Sequence, residues 1–421
     1  MAEAYPARNP GTGEMAILTL NAGSSSLKFG LFDVEPDGTM EQRVRGVFES
    51  LSGTPRFSVK DATGRLLVDK SLATVAPPTE VLLRELIMVL EPILGGKPVE
   101  AVGHRIVHGG SRFVKPTRLT DDILKELEAL TPIAPLHQPA SLRPVKAFLS
   151  LRPDIPQIGC FDTAFHSTLK PPANRYAIPR EYEEMGIRRY GFHGLSYEFI
   201  ATRLAEISPE LAAKKTVAAH LGAGCSLCAM QNGKSIDTTM GFTALDGLMM
   251  ATRSGAIDPG IILYLQQALG LSAGDVEQLL YYRSGLLGVS GISGDVRMLL
   301  ASDNPHAAEA LDLFTFRIAQ DIAAMATTME GLESLVFTAG VGEHATSIRE
   351  AICHRLQWLG VKLDKSADGG ELISSPDSAV EVRVIPTNEE MTIARQAHAL
   401  VTVHKRHRFA KPIEDEGEAM R

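Results

Sequence analysis

Apolar and polar positions alternate along the first well-patterned stretch of the chain. An apolar run from Ile17 to Leu20 leads into Asn21-Ala22-Gly23-Ser24-Ser25-Ser26, after which Leu27, Phe29 and Leu31 alternate with Lys28 and Gly30. A period of two marks a half-buried strand, so the stretch predicts two strands joined by a short polar turn. Pro36-Asp37-Gly38 marks another turn, and Val44 to Phe48, Phe57 to Val59 and Leu66 to Val68 predict short strands. The period then changes. Leu82, Leu83, Leu86, Ile87, Leu90, Ile93 and Leu94 recur at helical spacing between a capping Thr79 and a terminating Gly95-Gly96. A strand over Val99 to Val107, helices over Thr120 to Leu130 and Pro139 to Leu149, and a buried strand over Ile155 to Asp162 complete the first half.

The second half repeats part of this layout. After a loop holding Arg188, Arg189 and His193 and a helix from Ser196 to Ile207, a strand runs into Leu221-Gly222-Ala223-Gly224-Cys225-Ser226. The first half has Leu20-Asn21-Ala22-Gly23-Ser24-Ser25 at the same point. Asn232-Gly233 then signals a tight hairpin. Asp258-Pro259, Ser272 and Asn304-Pro305 open helices, the last running to about Met329. A strand from Leu335 to Phe337 opens into Thr338-Ala339-Gly340-Val341-Gly342-Glu343 and a helix reaching Leu359, with Gly360 as its cap. Val380 to Ile385 is the last strand, and a helix from Glu389 to Val403 follows Asn388. Two related hairpins, one per half, predict a duplicated α/β unit with a ligand between the copies.

Composition narrows the partners. At 421 residues the chain exceeds one ordinary core, and 44% hydrophobic residues suffice for two. A net charge of -8 argues against nucleic acid, which is met by basic patches. No apolar run is long enough to span a membrane. Residues 1–13 lack the apolar core of a secretory signal and, like 406–421, read as a loose tail. Four scattered cysteines, Cys160, Cys225, Cys228 and Cys353, do not make a disulfide framework and suit a reducing cytoplasm. Cys225 and Cys228 have C-x-x-C spacing without a second pair, which is weak evidence for zinc or redox chemistry.

Three places where a strand opens into small residues, at Asn21, Gly222 and Gly340, can present backbone N–H groups to phosphates. At the first, Gly23 admits a bulky anion, Ser24 and Ser26 offer donors, Asn21 can bind a metal-bound water and Lys28 adds a mobile cation. A solvated serine-rich turn is the alternative at that stretch taken alone. No Gly-x-x-x-x-Gly-Lys-Ser/Thr loop exists, so phosphate binding would rest on the hairpins. Gly294-Asp295-Val296-Arg297 could flank a base or ribose, or its charges could pair on the surface. Arg105 in Gly-His-Arg-Ile-Val-His-Gly-Gly, His137 after Ala-Pro-Leu, His193 in Phe-His-Gly and Arg253 in Thr-Arg-Ser-Gly form a scattered cationic set. It suits one anion site assembled from distant pieces. Asp162, at a strand end, either caps a loop or orients an arginine or nucleophile.

These strings, together with Phe-Asp-Thr-Ala-Phe-His, Arg-Tyr-Gly-Phe-His-Gly, Met-Gly-Phe-Thr, Gly-Val-Gly-Glu and Pro-Thr-Asn-Glu-Glu, occur in one order from about Ile17 to Val403. The chain resembles the acetate kinases, of the superfamily that includes sugar kinases, heat-shock ATPases and actin. The resemblance implies two RNase-H-like α/β domains, 16–162 with 388–405 and 163–387, a cleft between them that closes about a hinge, and a homodimer. It implies Mg2+ or Mn2+ at Asn21 and Glu389, and ATP or ADP against Lys28, Ser24, Ser26, His220, Leu221, Gly222, Ala223, Gly224, Asp295, Val296, Arg297, Gly340, Val341, Gly342, Glu343 and His344. Arg105 resembles the arginine that holds the carboxylate, with Val107, Leu136, Phe192 and Ala244 around its acyl group. Asp162 resembles the catalytic acid, and His193, Arg253 and the nearby His137 resemble stabilisers of the transferring phosphoryl group. The implied reaction takes acetate or another short-chain carboxylate and ATP to an acyl phosphate and ADP.

Several positions depart from the family pattern. Ala223 stands where an Asn is usual, Ala244 where a Pro lines the acyl pocket and Ala256 where an acid is usual; Gln138, Leu195, Tyr197 and His344 also differ. Ala244 motivates a second expectation, a kinase of propionate or butyrate. Ala223 motivates a third, a non-catalytic nucleotide-binding relative, against which stand Arg105, Asp162, His193, Arg253 and Glu389, all present. An actin-like or heat-shock-like ATPase would lack this arginine and histidine set.

Overall fold

The alternating run folds as its period requires. In the computed structural model, which describes residues 15–23, 25–364 and 370–409 (the backbone alone for 404–409), β1 (Met15–Ala22) and β2 (Ser26–Val34) form an antiparallel hairpin with Asn21 opposite Lys28. β3 (Met40–Glu49), β4 (Arg56–Asp61) and β5 (Leu66–Ser71) extend the meander. On the other side of β1 lie β6 (Val99–Ile106), β7 (Thr117–Arg118) and β8 (Gln157–Phe161), giving the order β5-β4-β3-β2-β1-β6-β8-β7. β1, β6 and β8 run parallel. Phe29, Phe48 and Phe57 cluster on one face, the last two with ring centroids 4.1 Å apart, beneath the helix Thr79–Leu94. That helix buries Leu82, Leu83, Leu86 and Leu90, each worth about 2 kcal/mol of transfer from water.

The second sheet repeats the plan with β9 (Thr216–Leu221), β10 (Cys225–Gln231), β11 (Lys234–Thr238), β12 (Ser334–Thr338) and β13 (Glu381–Val384), in the order β11-β10-β9-β12-β13. Again two parallel strands lie, one after the other, on the far side of the first strand of an antiparallel hairpin. β3-β2-β1-β6-β8 and β11-β10-β9-β12-β13 therefore have one topology. Asn232 and Gly233 both take positive φ, 52° and 68°, the tight turn that their dipeptide predicts.

The helix Gly194–Ile207 lies between the sheets. Tyr197, Ile200 and Leu204 pack on Ala218, Cys228 and Val336 of the second, while Leu195 joins Ile393 and Ala397 over the first. The terminal helix, Glu389–Phe409, returns to the first sheet, so close that a Cβ on Gly103 would lie 2.5 Å from Ile393 Cγ2. The helix Pro305–Thr328 covers the second sheet through Phe314, Ile318 and Ile322.

Some boundaries differ from those the sequence predicts. Pro78, not Thr79, holds the cap position of the first long helix, and its end at left-handed Gly95 is as expected. Asp258, Ser272 and Asn304 do accept cap hydrogen bonds. The segment after β12 is not a turn and one helix: Ala339–His344 is a short helix, Ala345 breaks it, and Thr346–Arg355 and Gln357–Leu359 follow. Tail residues 1–13 and 410–421 lie outside the described residues. Among the described residues no helix is long and apolar enough to cross a membrane, and all four cysteines are buried and unpaired.

Candidate active site

Three adjacent parallel strands set the first half of the site. β1, β6 and β8 lie side by side with Leu20 opposite His104 and Ile106 opposite Phe161, so Asn21, Arg105 and Asp162 arrive together at their carboxyl ends. That end of an open α/β sheet is where ligands bind. Arg105 Nε donates to Asp162 Oδ1 and Oδ2 at 3.1 and 3.0 Å, Nη2 donates to Oδ2 at 2.6 Å, and Nη1 donates to Asn21 Oδ1 at 3.2 Å. A guanidinium has five N–H bonds, so one remains on each terminal nitrogen to donate to a bound anion. Asn21 Nδ2 in turn donates to Glu389 Oε2 at 2.9 Å and Glu390 Oε1 at 3.4 Å, at the start of the terminal helix.

The charges here are interlocked. Burial pushes the Asp162 carboxyl up and Arg105 opposes that shift. Burial likewise disfavours the Arg105 charge, yet Asp162 and Glu389 hold its pKa above the ordinary arginine value. Glu389 ends below the usual carboxylate range despite burial because Arg105, His220 and Lys28 surround it. Glu390 is pushed up by burial and by Glu389.

Two histidines meet at the second hairpin turn: His220 from the end of β9 and His193 from the residue that precedes the helix Gly194–Ile207. The rings of His193 and His220 stack with centroids 4.1 Å apart and 17° between planes. His193 Nδ1 lies 2.8 Å from Ser226 Oγ, whose oxygen is 2.5 Å from the Tyr197 hydroxyl. His220 Nδ1 lies 2.9 Å from Ser196 Oγ, which is 2.9 Å from Thr387 Oγ1. The outer nitrogens face the turn: a Cβ on Gly224 would lie 3.3 Å from His193 Nε2, and one on Gly222 3.7 Å from His220 Nε2. Burial, reinforced for His193 by its neighbour, holds His220 at about 4 and His193 well below the ordinary value, so both rings are neutral. His193 itself has φ 57°, a left-handed conformation directly before its helix.

Arg253 closes the site. Its Nη1 donates to the Ala244 carbonyl at 3.0 Å, its Nη2 lies 3.1 Å from His137 Nε2, and a Cβ on Gly224 would be 3.9 Å from Nη1. Burial and the charges of Arg253 and Arg105 depress His137 to about 3, so its ring accepts from Arg253 as a neutral base. Val107 and Phe192 share one apolar cluster, and Ala244 packs against it. Leu136 is half-buried next to His137 and is not part of that cluster.

The residues expected on the nucleotide side are less uniformly assembled. The Ala223 carbonyl accepts from Ala251 N–H at 3.2 Å, and Ala251 lies under Gly294, so the segment leading to Asp295, Val296 and Arg297 is tied to the second turn. Asp295 and Arg297 pair with each other at 2.6 Å, the surface arrangement that the sequence left open, and Val296 is buried. A Cβ on Gly222 would lie 3.8 Å from Ala339 Cβ and one on Gly342 3.7 Å from Leu221 Cβ, which places the short helix Ala339–His344 against the turn. A Cβ on Gly340 would meet nothing within 4 Å; no protein neighbour requires glycine there. Val341 is half-buried, Glu343 accepts from Thr387 N–H at 3.2 Å and His344 is exposed. Lys28 is exposed opposite Asn21, the Ser26 carbonyl accepts from Gly23 N–H at 2.8 Å, and Ser24 lies outside the described residues. Sequence patterns did not single out Glu390, Ser196, Ser226 or Thr387 as site residues. Only the adjacency of Glu390 to Glu389 could have suggested one of them.

The known proteins that this chain is similar to fit this geometry. The sequence model of the Acetokinase family matches residues 16–395. An acetate kinase of Rhodopseudomonas palustris is 47% identical over 390 residues, covering 91% of this chain and 98% of the relative. Among solved structures, a propionate kinase of Francisella tularensis has a TM-score of 0.84 at 36% identity, with 91% of this chain and 99% of that one covered. An acetate kinase of Porphyromonas gingivalis has a TM-score of 0.81 at 35% identity, with 92% and 100% covered. The duplicated sheets are those of the actin-like ATPase fold. Matched over nearly its whole described length, the chain belongs to the acetokinase family.

Proposed function

We propose that this protein transfers the γ-phosphoryl group of ATP to acetate, reversibly, giving acetyl phosphate and ADP. The observation that carries the reading is the Arg105 guanidinium, fixed from behind by Asp162 and Asn21 with two N–H groups to spare, beside the apolar cluster of Val107, Phe192 and Ala244. That is a carboxylate clamp next to a small acyl pocket. Acetate is ionised at neutral pH, so its oxygen needs no general base. It attacks phosphorus as the bond to the β-phosphate bridging oxygen breaks, and the loose transition state spreads charge over the equatorial oxygens. Arg253 and the neutral His193 face the turn that would carry those oxygens, and stabilise the charge as preorganised donors. Asp162 orients Arg105. His137 orients Arg253. Leu136 stands at the edge of the acyl pocket. Lys28, Ser26, the turn from His220 to Gly224 and the helix from Gly340 to His344 contact the nucleotide, with Asp295 to Arg297 beside its base or ribose.

A divalent cation fits the donor set at Asn21. Glu389 and Glu390 bring carboxylate oxygens to one amide, and Mg2+ is usually held by one or two carboxylates together with substrate phosphates. Asn21, through bound water, and Glu389 would hold Mg2+ or Mn2+, which would neutralise phosphate charge. The two units, 16–162 with 388–405 and 163–387, would close about the bound nucleotide. A cytoplasmic setting belongs to the same reading. So does a homodimer, which the helix Pro259–Gln267 supports: it buries no residue and exposes Ile261, Leu263 and Tyr264. Sedimentation as a single chain at micromolar concentration would remove the dimer from this account.

Ala244 favours a wider acid range, because its small side chain lies in the acyl cluster. The test is acyl phosphate formation trapped as hydroxamate, with acetate, propionate and butyrate side by side and Arg105→Ala as control. Turnover abolished in the control supports the kinase, and better relative use of propionate by the natural chain than by Ala244→Pro supports the wider pocket. ATP binding with no turnover on any acid would favour the non-catalytic alternative.

A further inference from the structure

The hydroxyl groups behind His193 form a chain whose hydrogen count has one solution. Tyr197 is wholly buried in the helix between the sheets, and its hydroxyl lies 2.5 Å from Ser226 Oγ, itself buried and 2.8 Å from His193 Nδ1. Two directions are possible. If His193 Nδ1 carried the proton, Ser226 would accept it and donate to Tyr197, whose own hydrogen would then need another acceptor. Among the described residues the Tyr197 hydroxyl has no second hydrogen-bond acceptor, and neither has the Ser226 hydroxyl if both neighbours donated to it. An unpaired buried hydroxyl hydrogen carries the full cost of its desolvation. In the opposite direction every group is satisfied: Tyr197 donates to Ser226, Ser226 donates to His193 Nδ1, and the imidazole proton is placed on Nε2.

We propose that Tyr197 and Ser226 are positioning residues that fix His193 in its Nε2–H form and aim that hydrogen into the Gly222–Gly224 turn. The inference rests on the phosphoryl-transfer reading for its purpose, since a donor at that point is what the equatorial oxygens require. Nε2 faces Gly224, where a Cβ would lie 3.3 Å away, so the glycine keeps the space open for a ligand. The ring cannot swing, because His220 stacks on one face at 4.1 Å. Burial beside His220 keeps the ring neutral, and for a neutral ring the tautomer decides whether Nε2 donates or accepts. The wrong tautomer would present a lone pair to phosphoryl oxygens. No proton leaves the chain in the reaction; the donor is preformed and unchanged at the end.

The experiment combines nitrogen-15 NMR and steady-state kinetics. In the natural protein labelled at histidine, the His193 ring, identified by the signals lost in His193→Gln, is expected to carry its proton on Nε2. In Ser226→Ala the preference is expected to disappear. Tyr197→Phe keeps the ring packing and removes only the hydroxyl. It is expected to lower kcat about tenfold with KM for ATP and acetate within twofold, which loss of packing alone would not do. A proton on Nδ1 in the natural protein, or an unchanged kcat in both variants, would overturn the proposal. An inactive natural protein would count against the phosphoryl-transfer reading instead, and the NMR arm would still decide the hydrogen-bond direction.

Discussion

Asp162 shows why residue identity alone underdetermines a role. An acid at a strand end could be a cap, a base or an orienting group, and the sequence left these open. Its geometry narrows them: both oxygens are taken by Arg105, through Nε at 3.0 and 3.1 Å and Nη2 at 2.6 Å. A carboxylate so engaged orients the guanidinium, and an already ionised acyl acceptor needs no base. Asp162→Asn keeps the size and removes the charge and one acceptor. Arg105 would then turn towards Glu389, whose charge also holds the guanidinium protonated. Misplacing a clamp by about 1 Å costs roughly a hundredfold. The expectation is therefore a fall of about a hundredfold in kcat/KM for acetate, measured at saturating ATP. A variant within threefold of the natural enzyme would show that Arg105 holds its geometry without the pair.

At the scale of elements, what was legible is what depends on local pattern. The strand alternation around Gly23, the Asn232-Gly233 turn and the caps at Asp258, Ser272 and Asn304 were readable because neighbouring residues alone determine them. The internal repeat was readable because two turns share a string. The breaks were not. Ala339 takes φ 63°, a conformation alanine adopts only under external constraint, and a Cβ on Gly342 would lie 3.7 Å from Leu221 of the neighbouring strand. No local window contains that neighbour, so one helix was expected where three short pieces occur. The short helix Gly285–Ser290 is fixed by Met250, whose carbonyl accepts from Leu286 N–H at 2.9 Å and would lie 2.2 Å from a Cβ on Gly285. Glycine-rich composition marked the place, and a partner 36 residues earlier in the chain supplied the form. For the same reason Ser226, on β10, was visible only as part of a string: its partners, His193 and Tyr197, come from the helix Gly194–Ile207 and the residue that precedes it.

The whole molecule carries a pH signature that no single element could. Burial depresses His104, His108, His166 and His220 from 6.5 to about 4 and His137 to about 3. These groups lie across both sheets. Between about pH 4 and 6.5 the unfolded chain binds protons at these sites and the native chain does not. Stability therefore rises with pH through that window, is complete above about 6.5, and is lost as pH falls towards 4. Each pH unit of separation is worth about 1.4 kcal/mol per group. Asp162, Glu198 and Glu390, raised by burial, and Asp321, raised to about 6, act with the opposite sign. With His193, also lowered by burial, six histidines stand against these four carboxyls, so the histidines prevail. Urea unfolding is expected to show lower stability at pH 5 than at pH 7, with net proton uptake on unfolding. His166, held between Ser235 Oγ at 2.8 Å and the Phe192 carbonyl at 2.9 Å, provides the control. His166→Gln keeps a donor and an acceptor and should reduce that uptake by about one proton at pH 5. Equal stability at the two pH values, or an unchanged slope in the variant, would show that these rings are protonated in the native protein after all.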